Sequence, residues 1–439
     1  MTAIGPGTLM GNLMRQYWLP ALKSAELATT RCAPVRVMLL GEKLIAFRND
    51  AGTVSLIGER CPHRGASLFC GTVEADGIRC AYHGWKFDAH GNCIDMLCEP
   101  EDSPMRRHIQ TVAYPCLERG GIVWTYMGPR SVPPQLPDIP TNIPPRNGPL
   151  HLMLVECNWL QNLEGDIDLD HIPILHGTNL DSFRAGFRDQ ESPRRGNAPG
   201  RVAGVARRRA RLPLEVVDSE VGCMFATRLT ASRTTHSPSA QREVWAVGQF
   251  MMPFYSMLPY GAYGAHWVAA RVPMDDHHTM TIGIHAEDSV VPPDELMFGL
   301  EPARRPDSAG WFGRFRLTRS VENDFQIDRD RVRSTGDHPC AGIGVSGQAV
   351  QDAFITTSMG RIADRGSEHL TAGDVVIVRA RQKMLQAAID LADRGIAPPG
   401  VDKPAGYLQC QGILQVRPET TWHEEIRLRR TLQGRLKGG

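Results

Sequence analysis

The chain has 439 residues, 42% hydrophobic and 22% charged, which suits a folded protein of two or three domains and excludes a disordered one. Lys+Arg 49 against Asp+Glu 48 leave a formal charge of +1, so no global field recruits nucleic acid or an anionic membrane. No apolar run approaches the roughly 20 residues that span a bilayer, and no export signal opens the chain. Eleven cysteines, an odd number, then predict reduced thiols or metal ligands in a cytoplasmic protein.

In chain order, TLMGNLMRQYWLPAL reads as a helix inside an N-terminal helical segment, residues 1–34, packed against one of the domains. Residues 35–130 alternate short strands such as VRVMLL and KLIAFRN with glycine turns and close at GGIVWTYMGP, which predicts an all-β domain. That domain holds CPHRGASLFCGTVEADGIRCAYHGWKFD, residues 61–88. Cys61 and His63 are separated by one residue, Cys80 and His83 by two, and sixteen residues lie between the pairs.

Two Cys and two His can build a structural zinc site, but zinc fingers usually pair Cys with Cys and His with His along the chain. Here each arm mixes one thiolate with one imidazole. That suits a [2Fe–2S] cluster in which one iron takes both thiolates and the other both imidazoles, the Rieske arrangement. Gly65 and Gly84 leave space where the backbone passes close to the metal.

RSVPPQLPDIPTNIPPRNGP, residues 130–149, carries too many prolines for a helix or central strand, so 131–150 reads as a linker. A second domain, 151–439, follows. It opens with NWLQNLEGDIDLDHIPILHG, which gathers Glu164, Asp166, Asp168, Asp170, His171 and His176 around Trp159, Leu160, Leu163, Ile167, Leu169 and Ile172 at helical spacing. Such charges are costly to bury unpaired, so something binds them inside. Strand-like CMFATRLTA, EVWAVGQFMMPFYSML, HWVAARVPM and TMTIGIHAE come next, then a helix over DVVIVRARQKMLQAAIDLADRG with a glycine stop. VENDFQIDRD reads as the start of a long helix. GIGVSG, Gly342 to Gly347, matches a dinucleotide fingerprint but lacks the strand before it and the βαβ unit around it, so nucleotide binding is rejected. The basic cluster Arg207, Arg208, Arg209 and Arg211 reads as a solvated loop or strand edge.

CPHRGASL and CAYHGWKFDAHGNCIDM resemble the Rieske non-heme iron ring-hydroxylating oxygenases, most of all the phthalate dioxygenase branch. The resemblance runs over nearly the whole chain, strongest at 55–100, 156–177 and 320–380. It implies an α+β protein, with a Rieske domain ligated by Cys61, His63, Cys80 and His83 and a helix-grip catalytic domain. The family's second motif, D-x-x-H-x4-H, falls on Asp168, His171 and His176. Two imidazoles and a carboxylate on one face of Fe(II) leave the other positions to O₂ and substrate. His171 and His176 are five apart, and Pro173 between them suits a helix distorted around the metal.

Spacing leaves Glu322, Asp324 and Asp328 open as the third iron ligand, and the resemblance points to Asp324. It gives Asp168 a role in electron transfer between the cluster of one subunit and the iron of its neighbour, and hence implies a ring of three. It further implies a separate flavin or ferredoxin-type reductase fed by NADH or NADPH. The expected reaction is hydroxylation of an aromatic compound, with an aromatic carboxylate as substrate and Arg228 as its candidate partner. Oxidative O- or N-demethylation by the same two metals is the alternative, and a non-catalytic electron carrier a third. Leu169 stands where phthalate-type enzymes commonly place a small hydroxyl residue, which implies a more apolar pocket.

Overall fold

The computed structural model describes residues 1–100, 103–139, 149–176, 214–229, 243–257, 267–285, 304–305, 310–330, 343–345, 347–409, 413–417 and 419–428. The arginine cluster 207–211 lies outside them. Among the described residues, no helix is long and apolar enough to cross a membrane.

The first domain is built of β1 (Trp18–Lys23), β2 (Val35–Leu39), β3 (Glu42–Arg48), β4 (Val54–Gly58), β5 (Thr72–Val73), β6 (Gly77–Arg79), β7 (Trp85–Asp88), β8 (Cys93–Met96), β9 (Ala113–Tyr114), β10 (Cys116–Arg119) and β11 (Ile122–Tyr126). They form three antiparallel sheets, ordered β1-β11-β10, β2-β3-β4-β9 and β5-β6-β7-β8. The expected N-terminal helix is cut short. α1 covers only Leu9–Met14, and Trp18–Lys23 pairs with β11 as a strand. Pro20 explains the difference, because it has no N–H to give a helix and its ring clashes with the preceding turn; at a strand it is accommodated by the register shift between Pro20 and Leu22. The first domain therefore includes β1 rather than starting at residue 35.

The linker is packed where it is described. Trp18 Nε1 donates to the Pro134 carbonyl at 2.6 Å, and Leu136 and Ile139 are buried. A second join comes from the β2–β3 hairpin, whose tip residues Leu40 and Gly41 both have positive φ, 47° and 78°, as a tight hairpin turn demands. Their amides donate to the carbonyls of Pro273 (3.1 Å) and Met274 (2.8 Å), and Leu40 is fully buried. The hairpin thus docks the first domain on the edge of the second.

The second domain has one mixed sheet of β12 (Leu150–Val155), β13 (Leu214–Ser219), β14 (Gly222–Leu229), β15 (Glu243–Met251), β16 (Tyr255–Met257), β17 (Trp267–Pro273), β18 (Thr279–His285), β19 (Arg304–Arg305), β20 (Arg316–Leu317) and β21 (Ile413–Val416). Its order is β13-β14-β15-β16-β17-β18-β12-β20-β19, with β21 on β15; all pairs are antiparallel except β12 with β20. Over it lie α2 (Trp159–Ile167), the one-turn α3 (Ile172–Leu175), α4 (Gln348–Ser358) and α5 (Val375–Arg394). α2 rests on β15 to β17 and α5 on β14. α5 ends where the sequence places its stop, at Gly395 with φ 64°. This is the expected α+β architecture, an antiparallel sheet gripped by helices.

Polar contacts fix α2 at both ends. Asn158 caps it, accepting from Leu160 N at 3.1 Å, while its Nδ2 donates to the Asp276 and Thr2 carbonyls. Near the other end Asp166 faces the sheet. Arg271 donates to both Asp166 oxygens, with Nε to Oδ2 at 2.6 Å, and Ser256 Oγ donates to Oδ2 at 2.6 Å. Arg271 Nη1 also reaches Thr281 Oγ1 at 2.6 Å. Both charged residues are buried, so the pair must supply its own solvation. Asp166→Ala leaves Arg271 buried and uncompensated; we expect a loss of about 3–5 kcal/mol in denaturant unfolding. The joint replacement Asp166→Leu with Arg271→Met should recover most of it. A single-variant loss below about 1 kcal/mol contradicts the pinning role.

Candidate metal centres

The two Cys/His loops share one hydrogen-bond pattern. Gly65 N donates to the Cys61 carbonyl at 2.9 Å and Gly84 N to the Cys80 carbonyl at 3.1 Å, each glycine closing its turn at a positive φ, 75° and 72°. The positive φ favours glycine at position 84, and a Cβ there would also have to displace the exposed Leu97 side chain, 2.6 Å away at Cδ1. Cys61 and Cys80 are buried among Ile45, Phe47, Leu68, Ile78, Trp85 and Phe87. His63 stacks on Trp85 at 4.5 Å and 10°, and meets the His83 ring at 4.5 Å.

The two thiols thus meet inside and the two imidazoles meet toward the outside. Burial pushes the Cys61 thiol up to about 11, and the adjacent Cys80 adds to the shift. Two neighbouring thiolates in an apolar core need cationic metal to exist as thiolates. The donor set and its asymmetry fit a Rieske cluster.

In the second domain, α2 stops at Asp168, whose extended ψ of 119° breaks the helix. The chain re-enters helix at His171, the cap of α3, with a proline in the first turn, and His176 closes that turn. The predicted distortion is thus a full break followed by a single turn. It turns the two rings toward each other, 5.2 Å between centroids. The third member comes from α4. Asp352 Oδ1 lies 3.2 Å from His176 Nε2 and 3.5 Å from His171 Nε2, and the three ligand atoms fall within 4.8 Å of one another. Adjacent corners of an octahedron with bonds of about 2.1 Å are about 3 Å apart, which these separations approach.

Electrostatics ask for a cation at this point. Burial lowers an imidazole, yet the carboxylates of Asp168 and Asp352 on either side of His171 outweigh it and lift the group to about 10. Burial raises the Asp352 carboxyl, and the two imidazoles overcome that and hold it well below the usual carboxylate range. Two nitrogens and a carboxylate that hold positive charge between them suit a divalent iron.

Asp324 is not part of this group. Asn323, Asp324 and Phe325 depart from helical angles, and Asp324 and Phe325 have φ of 47° and 49°, so the expected long helix is a kinked short turn. The turn drives Phe325 into the core against Phe354, 4.9 Å between rings, and leaves Glu322, Asp324 and Asp328 exposed. The sequence did carry a signal for Asp352: a lone carboxylate beside Val350 and Ala353, both buried, on a helix opening after Gly347. Arg228 is also misplaced as a substrate partner. Its side chain is 58% exposed and pairs with Glu243 at 2.8 Å on the surface.

Asp168 does stand beside the iron group. Its Oδ2 lies 3.5 Å from His171 Nδ1, and its side chain keeps 27% exposure. Of the other charges in this segment, Glu164 accepts from Arg365 (2.8 Å) and Arg381 (2.6 Å), and Asp170 is exposed.

The fold and both sites define a Rieske non-heme iron oxygenase. Comparison with known proteins agrees: a Rieske [2Fe-2S] domain matches residues 17–113 and a LigXa C-terminal domain like model matches 125–424, so the chain belongs to this family. It is 36% identical to the 3-chlorobenzoate-3,4-dioxygenase oxygenase subunit of Comamonas testosteroni, with 97% of each chain covered. It is 31% identical to the phthalate 4,5-dioxygenase oxygenase subunit of Pseudomonas putida, over 86% of this chain and 82% of that one. Among solved structures, dicamba monooxygenase bound to dicamba has the same fold, with TM-score 0.56 and 16% identity over 87% of this chain and all of that one.

Iron analysis separates the two candidate carboxylates. Asp352→Ala should lose mononuclear iron while keeping the visible spectrum of the Rieske cluster, and Asp324→Ala should keep both. Loss of mononuclear iron in the second variant alone would reverse the assignment.

Proposed function

We propose that this chain is the oxygenase component of a cytoplasmic system that hydroxylates an aromatic carboxylate. Electrons come from a separate NADH- or NADPH-dependent reductase of the flavin or ferredoxin type. The observation that carries this reading is the convergence of His171, His176 and Asp352 next to Asp168, on a chain that also gathers Cys61, His63, Cys80 and His83. The named relatives, oxygenase subunits for 3-chlorobenzoate and phthalate, support an aromatic acid as substrate.

When bound, the [2Fe–2S] cluster supplies electrons and the mononuclear Fe(II) supplies O₂ activation. His171 Nε2, His176 Nε2 and Asp352 Oδ1 would hold that iron, a two-imidazole, one-carboxylate set that suits O₂-activating Fe(II). Asp168 Oδ2 stands 3.5 Å from His171 Nδ1, close enough to accept its proton once the ring is held by the metal and so to fix which nitrogen faces it. Its partial exposure lets it also meet a cluster histidine from outside the chain, and His63 is exposed at the rim of the first domain. Such head-to-tail pairing, cluster of one copy against Asp168 of the next, suits the ring of three that the family resemblance implies.

A screen of benzoates, phthalates and methoxyarenes with a surrogate reductase tests the reading. We expect substrate-dependent oxygen uptake and label from ¹⁸O₂ in a ring-hydroxylated product; formaldehyde release with an unlabelled ring marks demethylation instead. Asp168→Ala should retain both metals yet lose reductase-driven turnover by about 100-fold. Unchanged turnover excludes Asp168 from the electron path.

A further inference from the structure

We propose that Gln351 is the positioning residue for His176, and that the glycine loop before α4 exists to hold Gln351. This rests on the reading of His171, His176 and Asp352 as an iron site.

The Gln351 amide lies between two fixed partners. Its Nε2 donates to the Val345 carbonyl at 2.6 Å. A carbonyl can only accept, so the nitrogen must lie on that side and Oε1 on the other. Oε1 stands 2.6 Å from His176 Nδ1. An amide oxygen also only accepts, so Nδ1 carries the proton. The lone pair is then on Nε2, which faces Asp352 Oδ1 at 3.2 Å. One side chain thus sets both the ring rotation and the tautomer of an imidazole that is 2% exposed.

The loop supplies the anchor. Gly344 and Gly347 have φ of 72° and 90°, angles that glycine adopts without the cost other residues meet. Between them Val345 is buried with Val350, Ala353 and Phe325, which locks its carbonyl in place. Backbone angles thus account for Gly344 and Gly347 of the G-x-G-x-x-G stretch, and Gly342 lies outside the described residues.

The two imidazoles are held by different chemistry. His171 has the Asp168 carboxylate 3.5 Å from its Nδ1, and 27% of that side chain is exposed and open to a neighbour. His176 has a neutral amide supplied by the helix that carries Asp352. Gln351 therefore couples placement of the second histidine to placement of the carboxylate one residue along the chain.

The test measures Mn(II) affinity of the iron-stripped mononuclear site in full-length protein with its Rieske cluster intact, following the EPR signal of free ion. Gln351→Met, similar in size but without an acceptor, should bind Mn(II) about 10–100-fold more weakly. Gln351→Glu, which keeps an acceptor for His176 but loses the Val345 anchor, should lose clearly less affinity than the Met variant. The cluster spectrum and unfolding temperature report folding of both variants. Parent-like affinity in the Met variant, or equal losses in both, overturns the proposal. Failure of the parent itself to bind Mn(II) or Fe(II) strikes at the iron site and not at Gln351.

Discussion

The buried ion pair between Asp166 and Arg271 is the constraint on which the catalytic domain is built. α2 must end at a defined height over the sheet, because the chain leaves it at Asp168 and needs only a short break before His171. Arg271 on β17 sets that height by gripping both carboxylate oxygens, with Ser256 and Thr281 satisfying the remaining polar atoms. Gln161 then ties α2 to α4. Its Nε2 donates to the carbonyls of Thr356 and Gly360, each at 2.8 Å, and its Oε1 accepts from Ala363 N at 2.7 Å. Two helices far apart in sequence are held in register, which brings Asp352 opposite the two histidines.

Charge is treated differently at each polar position of residues 158–176. Glu164 and Asp166 meet arginines and serve packing alone. Asp168 faces an imidazole and keeps contact with the outside. The pattern that looked like a single acidic segment divides into a structural half inside α2 and a chemical half beyond its end. The break at Asp168 marks the boundary, and it is where side chains stop answering to helical periodicity and start answering to a shared metal.

Much of this was legible in the sequence, and the reasons for the rest are physical. C-x-H and C-x-x-H are local motifs in which the spacing is itself the chemistry, so the cluster loops could be read directly. His171 and His176 were readable for the same reason. The third member of that group was not, because Asp352 lies 176 residues beyond His176, and only tertiary packing decides which of several carboxylates arrives. VENDFQIDRD looked helical by composition, but three consecutive residues with positive φ, Asp324 to Gln326, turn its acids to solvent. Arg228 failed differently. Strand alternation says that a residue faces one side or the other, and the Glu243 pairing across β14 and β15 settles that it faces water. The N-terminal segment misled through its helical apolar spacing, which Pro20 interrupts.

Anomalous diffraction at the iron edge tests the central claim most directly. Crystals of the protein purified with its iron should show one peak bounded by His171, His176 and Asp352, and a separate paired peak bounded by Cys61, His63, Cys80 and His83. Zinc at the Cys/His loops, or an iron peak beside Asp324 with none at Asp352, would contradict the account.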